Sequence, residues 1–411
     1  MPNEILARIL ESLPEDDVIS CRLVNKQLGA IATRDFAKAN FRRLNVAFST
    51  RSLQALVNVC THPDLGAYVR TIWFSPFRTS PDSIYKLTDI FKKKLKIGGQ
   101  GDLDCAYRCL QSYIQTSYDE HNLEKSGQAV PLLTEALSSL QKRSISVNIS
   151  MDNDCVRPWI GCERPYWNGH VNDFELGRDC TNETANIIFQ ALFQSSCQVN
   201  RFEIYQENLG CSAGSLVDLT KSVAPALKSF AMLKSLYLNL MRLPKQKTLD
   251  SLDSVLGQLR NLEVFMLELG WDEYLTQSPN KYVGSSAFSA SDAILRLLKS
   301  TCLQKVHFRH MCISEKCLVA MLSASRGSLK KLTLSGVCLT YGCWKHFFSW
   351  LHNNFRLDHL RLFALSETEG KRFIEWSKEE LKSRGLYFHG KENVRSGLSE
   401  LLSESNALLA E

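Results

Sequence analysis

Leu329-Lys330-Lys331-Leu332-Thr333-Leu334 is the stretch on which the fold turns. Its leucines fall at the first, fourth and sixth places, and the last two alternate as on a strand with one buried face. The same spacing returns as Leu233-Leu236-Leu238, Leu262-Phe265-Leu267, Leu303-Val306-Phe308 and Leu357-Leu360-Leu362. The middle positions of these five copies lie 29, 41, 26 and 28 residues apart. Weaker copies precede them at Val199-Phe202-Ile204 and Val69-Ile72-Phe74, and residues 143–149 have the same strand character.

Helical patterns separate the strands, over about 214–230, 248–259, 288–299, 314–325, 341–353 and 369–383. A strand and a helix per period imply one unit that buries its apolar face only against its neighbours. The spacing resembles that of leucine-rich repeats. That resemblance implies a solenoid with a curved parallel sheet inside and helices outside. The family usually has Asn or Cys three residues after the last leucine. Met241, Gly270, Met311, Val337 and Leu365 stand there, so the array is expected to be irregular and to lack an asparagine ladder.

Two gaps interrupt the period. Residues 150–181 contain Trp159, Tyr166 and Trp167, and residues 270–290 contain Trp271, Tyr274, Tyr282 and Phe288. Neither is periodic, so both read as loops. Both leave a strand at its C-terminal end, which places them on one rim of a parallel array. Trp159, Tyr166, Trp167, Trp271, Tyr274 and Tyr282 are the candidate substrate contacts, because large rings with few rotors anchor interfaces. The competing reading folds these rings back onto their own domain.

Ahead of the array, residues 35–48 read as a connecting helix and strand, and Leu53, Leu56, Val57 and Cys60 as a helix ended near His62-Pro63. Residues 68–74 read as a strand, Ser75 to Asp82 as a polar loop, and about 83–96, 103–118 and 128–141 as amphipathic segments. The lysines of the run Phe91 to Lys96 suit a solvated helix face better than an anionic contact. The tail from Lys391 to Glu411 either caps the last repeat or stays mobile.

The N-terminus is a helical hook. Ile5, Leu6, Ile9, Leu10 and Leu13 share one helical face, with Pro2 in the first turn and Pro14 as the stop. Glu15, Asp16 and Asp17 open a second helix whose apolar face is Val18, Cys21, Val24, Leu28 and Ile31. Two short helices cannot bury a core alone, so their apolar faces need a partner.

Pro2-Asn3-Glu4-Ile5-Leu6, Ile9-Leu10, Leu13-Pro14 and Asp17, followed by Cys21-Arg22-Leu23-Val24-Asn25-Lys26, resemble an F-box over about the first 45 residues. Met1 stands where the family usually has a leucine, and Gln27-Leu28 where an aromatic often follows the lysine. The resemblance is to F-box proteins of the fungal type with degenerate leucine-rich repeats. It implies docking on the Skp adaptor, and through it the cullin scaffold, of an SCF-type ubiquitin ligase. Carried onto this chain, the contact falls on Pro2, Ile5, Leu6, Ile9, Leu10, Leu13, Leu23 and Val24. The expected organisation is an F-box module at 1–45, a linker with first irregular repeats and a helical insertion at 46–150, the solenoid at 151–390 and the tail at 391–411.

Composition fits this picture. The chain has 411 residues, 44% hydrophobic and 22% charged, an ordinary globular balance. The net charge of +6 is too mild and dispersed to argue for nucleic acid. No apolar run is long enough for a membrane span, and the N-terminus does not read as a signal peptide. The 14 cysteines then read as reduced thiols in a cytoplasmic or nuclear protein.

Chemistry is sparse in the sequence. Cys302, His307, His310, Cys312 and Cys317 cluster without zinc spacing, Cys105 and Cys109 fit a helix face, and Asp152-Asn153-Asp154 lacks the glycine of a calcium loop. Gly98-Gly99-Gln100-Gly101 lacks the context of a phosphate loop, and no G-x-S-x-G occurs. No metal, cofactor or catalytic residue is expected. The function expected is a non-catalytic specificity subunit that binds an unknown protein substrate through the solenoid. A non-ligase scaffold and an enzyme hidden in the irregular segments are the alternatives.

Overall fold

The computed structural model describes residues 3–21, 23–79, 85, 88–89, 100–151, 160, 177–204, 211–212, 228–242, 259–269, 302–369, 372–375 and 386–408. The chain divides into two compact units, Met1–Val199 and Asn200–Glu411. Both mix helices with strands that are mostly parallel.

The first unit opens with α1 (Asn3–Glu11), α2 (Glu15–Cys21) and α3 (Lys26–Asn40). β1 (Arg43–Val46), α4 (Thr50–Thr61), a short 3-10 turn at Gly66–Tyr68, β2 (Thr71–Phe74) and β3 (Phe77–Thr79) follow. Then come α5 (Gln100–Ser126), α6 (Ala129–Lys142), β4 (Val147–Met151), β5 (Gly177–Asp179) and α7 (Thr181–Ser195). β2 lies between β1 and β4, parallel to both, with Ile72 beside Leu44 and Ile149. These three side chains are buried, and α4, α6 and α7 pack successively on one another. Gly66 is required by space, since a Cβ there would lie 2.5 Å from the Cys60 carbonyl oxygen.

Sequence reading leaves Ser75 to Asp82 as a loop, but it contains β3, antiparallel to β5. The pair is held by Arg78, a buried cation that donates to Thr184 Oγ1 at 2.8 Å and lies 3.8 Å from Glu124. The guanidinium also sits 4.3 Å from the centroid of the Phe48 ring. Glu120 on α5 accepts both the amide and the hydroxyl of Thr79, at 2.7 and 2.6 Å. The expected segments at 103–118 and 128–141 are α5 and α6, and the one at 83–96 lies largely outside the described residues.

The second unit contains β6 (Val199–Ile204), β7 (Cys211–Ser212), β8 (Ser235–Arg242), β9 (Val264–Leu269) and β10 (Lys305–Ile313). After these come α8 (Glu315–Ser323), β11 (Lys331–Leu339), α9 (Trp344–Asn354), β12 (His359–Phe363), β13 (Ser366–Glu369), β14 (Arg372–Glu375), β15 (Leu386–His389) and α10 (Lys391–Leu408). β6, β8, β9, β10, β11 and β12 are neighbours in that order and all parallel. Every apolar position of the five leucine templates is buried. In register, Leu236, Phe265, Val306, Leu332 and Leu360 form one row and Leu238, Leu267, Phe308, Leu334 and Leu362 the next.

The residue after each template's first leucine carries a backbone ladder. The amides of Lys234, Glu263, Gln304, Lys330 and Asp358 donate in turn to the carbonyls of Asn200, Lys234, Glu263, Gln304 and Lys330, at 2.7–2.9 Å. Two residues beyond the last template position the backbone turns left-handed, at His310 (φ 52°), Gly336 (φ 62°) and Ala364 (φ 47°). The turn brings Met311, Val337 and Leu365 to buried sites. No asparagine stands at these three positions, and apolar side chains fill them. Gly336 tolerates its φ because it lacks a Cβ, and a Cβ would meet His310 Nδ1 at 2.7 Å.

Two expectations change here. A helix is expected over 369–383, but β13 and β14 form an antiparallel pair, with Glu367 opposite Ile374. Phe373-Ile374, an aromatic and a β-branched residue, suit a strand, and pairing with β13 decides for it. The strand at Leu386–His389 was not foreseen. β15 lies antiparallel on β12, and α10 packs on β15 with Val394, Leu398 and Leu401 buried.

Candidate functional site

The N-terminal module builds its centre from one residue of each helix. Leu10, Val18 and Ala32 are buried, with Leu13, Cys21, Leu28, Ile31 and Phe36 packed against them. Pro14 cannot continue α1, and its carbonyl accepts the Asp17 and Val18 amides at 3.1 Å to start α2. The sequence pattern predicts one helix from Glu15 through Ile31. Instead α2 ends at Cys21, and Asn25 Oδ1 accepts the Leu28 amide at 2.8 Å to cap a new helix. The asparagine side chain takes the place of the backbone carbonyl that a continued helix would offer this amide.

The break sets what faces water. Leu23 and Val24 lie in the connection and are 86% and 66% exposed. Ile5 and Ile9, one turn apart on α1, are 47% and 44% exposed. Leaving four large apolar side chains in water is costly unless another surface covers them.

Residues 1–36 match the family model described as F-box domain. This segment is an F-box domain. An F-box implies contact with a Skp adaptor within an SCF-type ligase. No curated protein matches the chain.

Of the residues assigned to the adaptor contact, Ile5, Ile9, Leu23 and Val24 are exposed, while Leu6 and Leu13 are half-buried. Leu10 is 2% exposed at the F-box core and presents almost no surface in the free chain. Val24, expected on the apolar face of a helix, is an exposed turn residue. Pro2 lies outside the described residues, as do Trp159, Tyr166, Trp167, Trp271, Tyr274 and Tyr282.

The sheet of the second unit has one open face beside its capped end. Lys305, Lys331, His359 and His389 are neighbours in register across β10, β11, β12 and β15, with Arg361 one row along. Lys305, Arg361 and His389 are exposed. His359 Nδ1 lies 2.8 Å from His389 Nδ1. His307 in the adjoining row falls to a pKa of about 4, through burial first and then the charges of Arg309 and Arg361. Further along, Glu268 accepts Tyr237 Oη at 2.6 Å and pairs with Arg309 at 3.4 Å.

Several groups with the chemistry of a nucleophile or an acid are buried among the described residues. Burial pushes the Cys60 and Cys197 thiols up to about 12. Burial raises the Glu120 carboxyl, against the Thr79 hydrogen bonds and the Arg78 charge. Of the sequence cluster Cys302, His307, His310, Cys312 and Cys317, Cys302 is exposed before β10 and Cys317 is buried in α8. Sequence reading missed another grouping. Among the described residues, Glu315, Cys343 and His346 bring ligating atoms within 4.8 Å of one another. The Cys343-x-x-His346 spacing at a helix start is the signal that marks it. Glu315 Oε2 there accepts the Cys343 amide at 2.9 Å, and Glu367 accepts the Trp344 amide at 2.7 Å. Both carboxylates serve as caps on the positive end of α9. No helix of the described residues is long and apolar enough to cross a membrane.

Proposed function

We propose that the chain is the substrate-receptor subunit of an SCF-type cullin–RING ubiquitin ligase. The observation that carries this is the F-box match at residues 1–36 together with apolar side chains of that module in water. The adaptor contact is assigned to Pro2, Ile5, Leu6, Ile9, Leu13, Leu23 and Val24. The reading of the second unit as a degenerate leucine-rich solenoid is supported by its registered leucine rows, its parallel strands and the left-handed residue that recurs two positions after three successive templates.

The chemistry such a subunit supplies is proximity. It holds a protein substrate near a charged ubiquitin carrier and raises the effective concentration of the attacking amine. No catalytic side chain is needed in this chain. Its place of work is the cytoplasm or nucleus, where its thiols stay reduced. Trp159, Tyr166, Trp167, Trp271, Tyr274 and Tyr282 keep their assignment as rim anchors for the substrate. The open sheet face with Lys305, Lys331 and Arg361 is a further polar surface of the second unit.

The test is co-purification of the full chain with the Skp adaptor and cullin, compared with Ile9→Asp. The receptor reading predicts both partners with the wild-type chain and neither with the variant. The adaptor without the cullin means a scaffold outside the ligase. Neither partner with the wild-type chain rejects the reading.

A further inference from the structure

A second site lies where α3 meets the first strands of the sheet. Arg34, Lys38, Arg42, Tyr68 and Arg70 line a pocket of about 270 Å³. Four of these five side chains are cations, and no carboxylate lines the pocket among the described residues. Arg34 and Lys38 are one turn apart on α3, and Arg42 follows a further turn's length along the chain. Arg70 comes from the other wall. Its amide donates to the Arg42 carbonyl at 3.1 Å, so one backbone rung joins the two arginines just ahead of β1 and β2. Arg70 Nη1 donates to the carbonyls of Ala67 and Val69, at 2.9 and 2.7 Å, so that guanidinium is held before any ligand arrives.

Basic residues near a helix C-terminus have an ordinary explanation, since they complement the helix dipole. That accounts for Lys38 in the last turn and Arg42 just beyond it. It does not account for Arg34, two turns back, or for Arg70 and Tyr68, which belong to a different element. The ion pairs among the described residues include none of the four cations. Like charges gathered around one recess repel, and an anion in the recess relieves that repulsion. Arginine forks and a phenol suit the tetrahedral oxygens of phosphate. The volume is small for a nucleotide-sized ligand and suits one or two phosphate groups.

We propose that this pocket binds a phosphate-bearing ligand through Arg34, Lys38, Arg42 and Arg70, with Tyr68 as a hydrogen-bonding wall. The inference stands apart from the receptor reading, since none of these residues is assigned to the adaptor contact.

The experiment uses the full chain and three probes: pyrophosphate, a fluorescein-labelled phosphoserine peptide and the same peptide without phosphate. Pyrophosphate titrated by calorimetry tests a free phosphate ligand, and peptide anisotropy tests a phosphorylated side chain. The proposal expects saturable binding in at least one phosphate arm, weakening with salt, and no binding of the unphosphorylated peptide. R34Q/K38Q/R42Q should weaken that binding at least tenfold with an unchanged thermal melt, which reports an intact fold. R70Q alone should weaken it by a smaller factor, and Y68F less still. Absence of binding in both phosphate arms overturns the proposal. So does equal affinity of the triple variant, or of the peptide lacking phosphate.

Discussion

Replacing Ile5 and Ile9 together by alanine separates docking from folding in the F-box. Burying a whole isoleucine side chain is worth about 1.5–3 kcal/mol. Roughly half of each of these two remains in water, 47% and 44%, so covering it contributes about 1 kcal/mol per residue. The double variant therefore loses about 2 kcal/mol of adaptor affinity, or roughly 30-fold in Kd. Leu10→Ala is the contrast. Leu10 is 2% exposed, so its truncation leaves a cavity and costs the module about 2–5 kcal/mol of stability without removing a contact surface. Biolayer interferometry against the Skp adaptor measures the first quantity, and thermal melts of the same samples measure the second. I5A/I9A should weaken binding with little change in the melt, and L10A should lower the melt first. Unchanged affinity in I5A/I9A, or a loss that tracks its melting temperature, refutes the assignment of this face.

Other outcomes follow from the packing. Gly397 on α10 faces the Phe388 ring, where a Cβ would overlap ring carbons, so Gly397→Ala should loosen the cap by about 1–3 kcal/mol, read as faster hydrogen exchange over 386–408. His307 has its pKa lowered in the fold from 6.5 to about 4, by burial and then by Arg309 and Arg361. Its neutral form is the one the fold prefers, so its contribution is complete above pH 6.5 and fades as pH falls toward 4. The loss is at most about 3 kcal/mol and smaller after solvent screening, and His307→Gln should flatten that part of a denaturation-versus-pH curve. Cys60 and Cys197, raised to about 12 by burial, should resist alkylation at pH 8 until the first unit unfolds, as mass spectrometry of trapped thiols would show.

What the sequence made legible was whatever depends on period. Leu332 and Leu334 alternate between polar neighbours, and that pattern alone places them on the buried face of β11. The F-box was readable because its prolines and paired apolar positions act locally. Three kinds of feature were hidden. Asn25 looked like one more polar residue on a continuing helix, and only its side-chain bond to the Leu28 amide reveals a break. Phe373 and Ile374 fit a helical pattern as well as a strand, and pairing with β13 decides between them. Arg42 and Arg70 are 28 positions apart, and nothing in their local sequence announces that one ladder rung brings them together. The first of these is a capping competition, and the other two are tertiary contacts that periodicity does not encode.

The reversed direction of β15 decides what happens if synthesis stops early. With Leu386–His389 in place, the amides and carbonyls along one side of the five-residue β12 are taken, and α10 lies over the junction. A product truncated before Leu386 leaves that side bare, flanked by the alternating leucines Leu360 and Leu362. Such an edge recruits strands from other copies, so a late nonsense mutation should yield insoluble polymer rather than a shorter working protein.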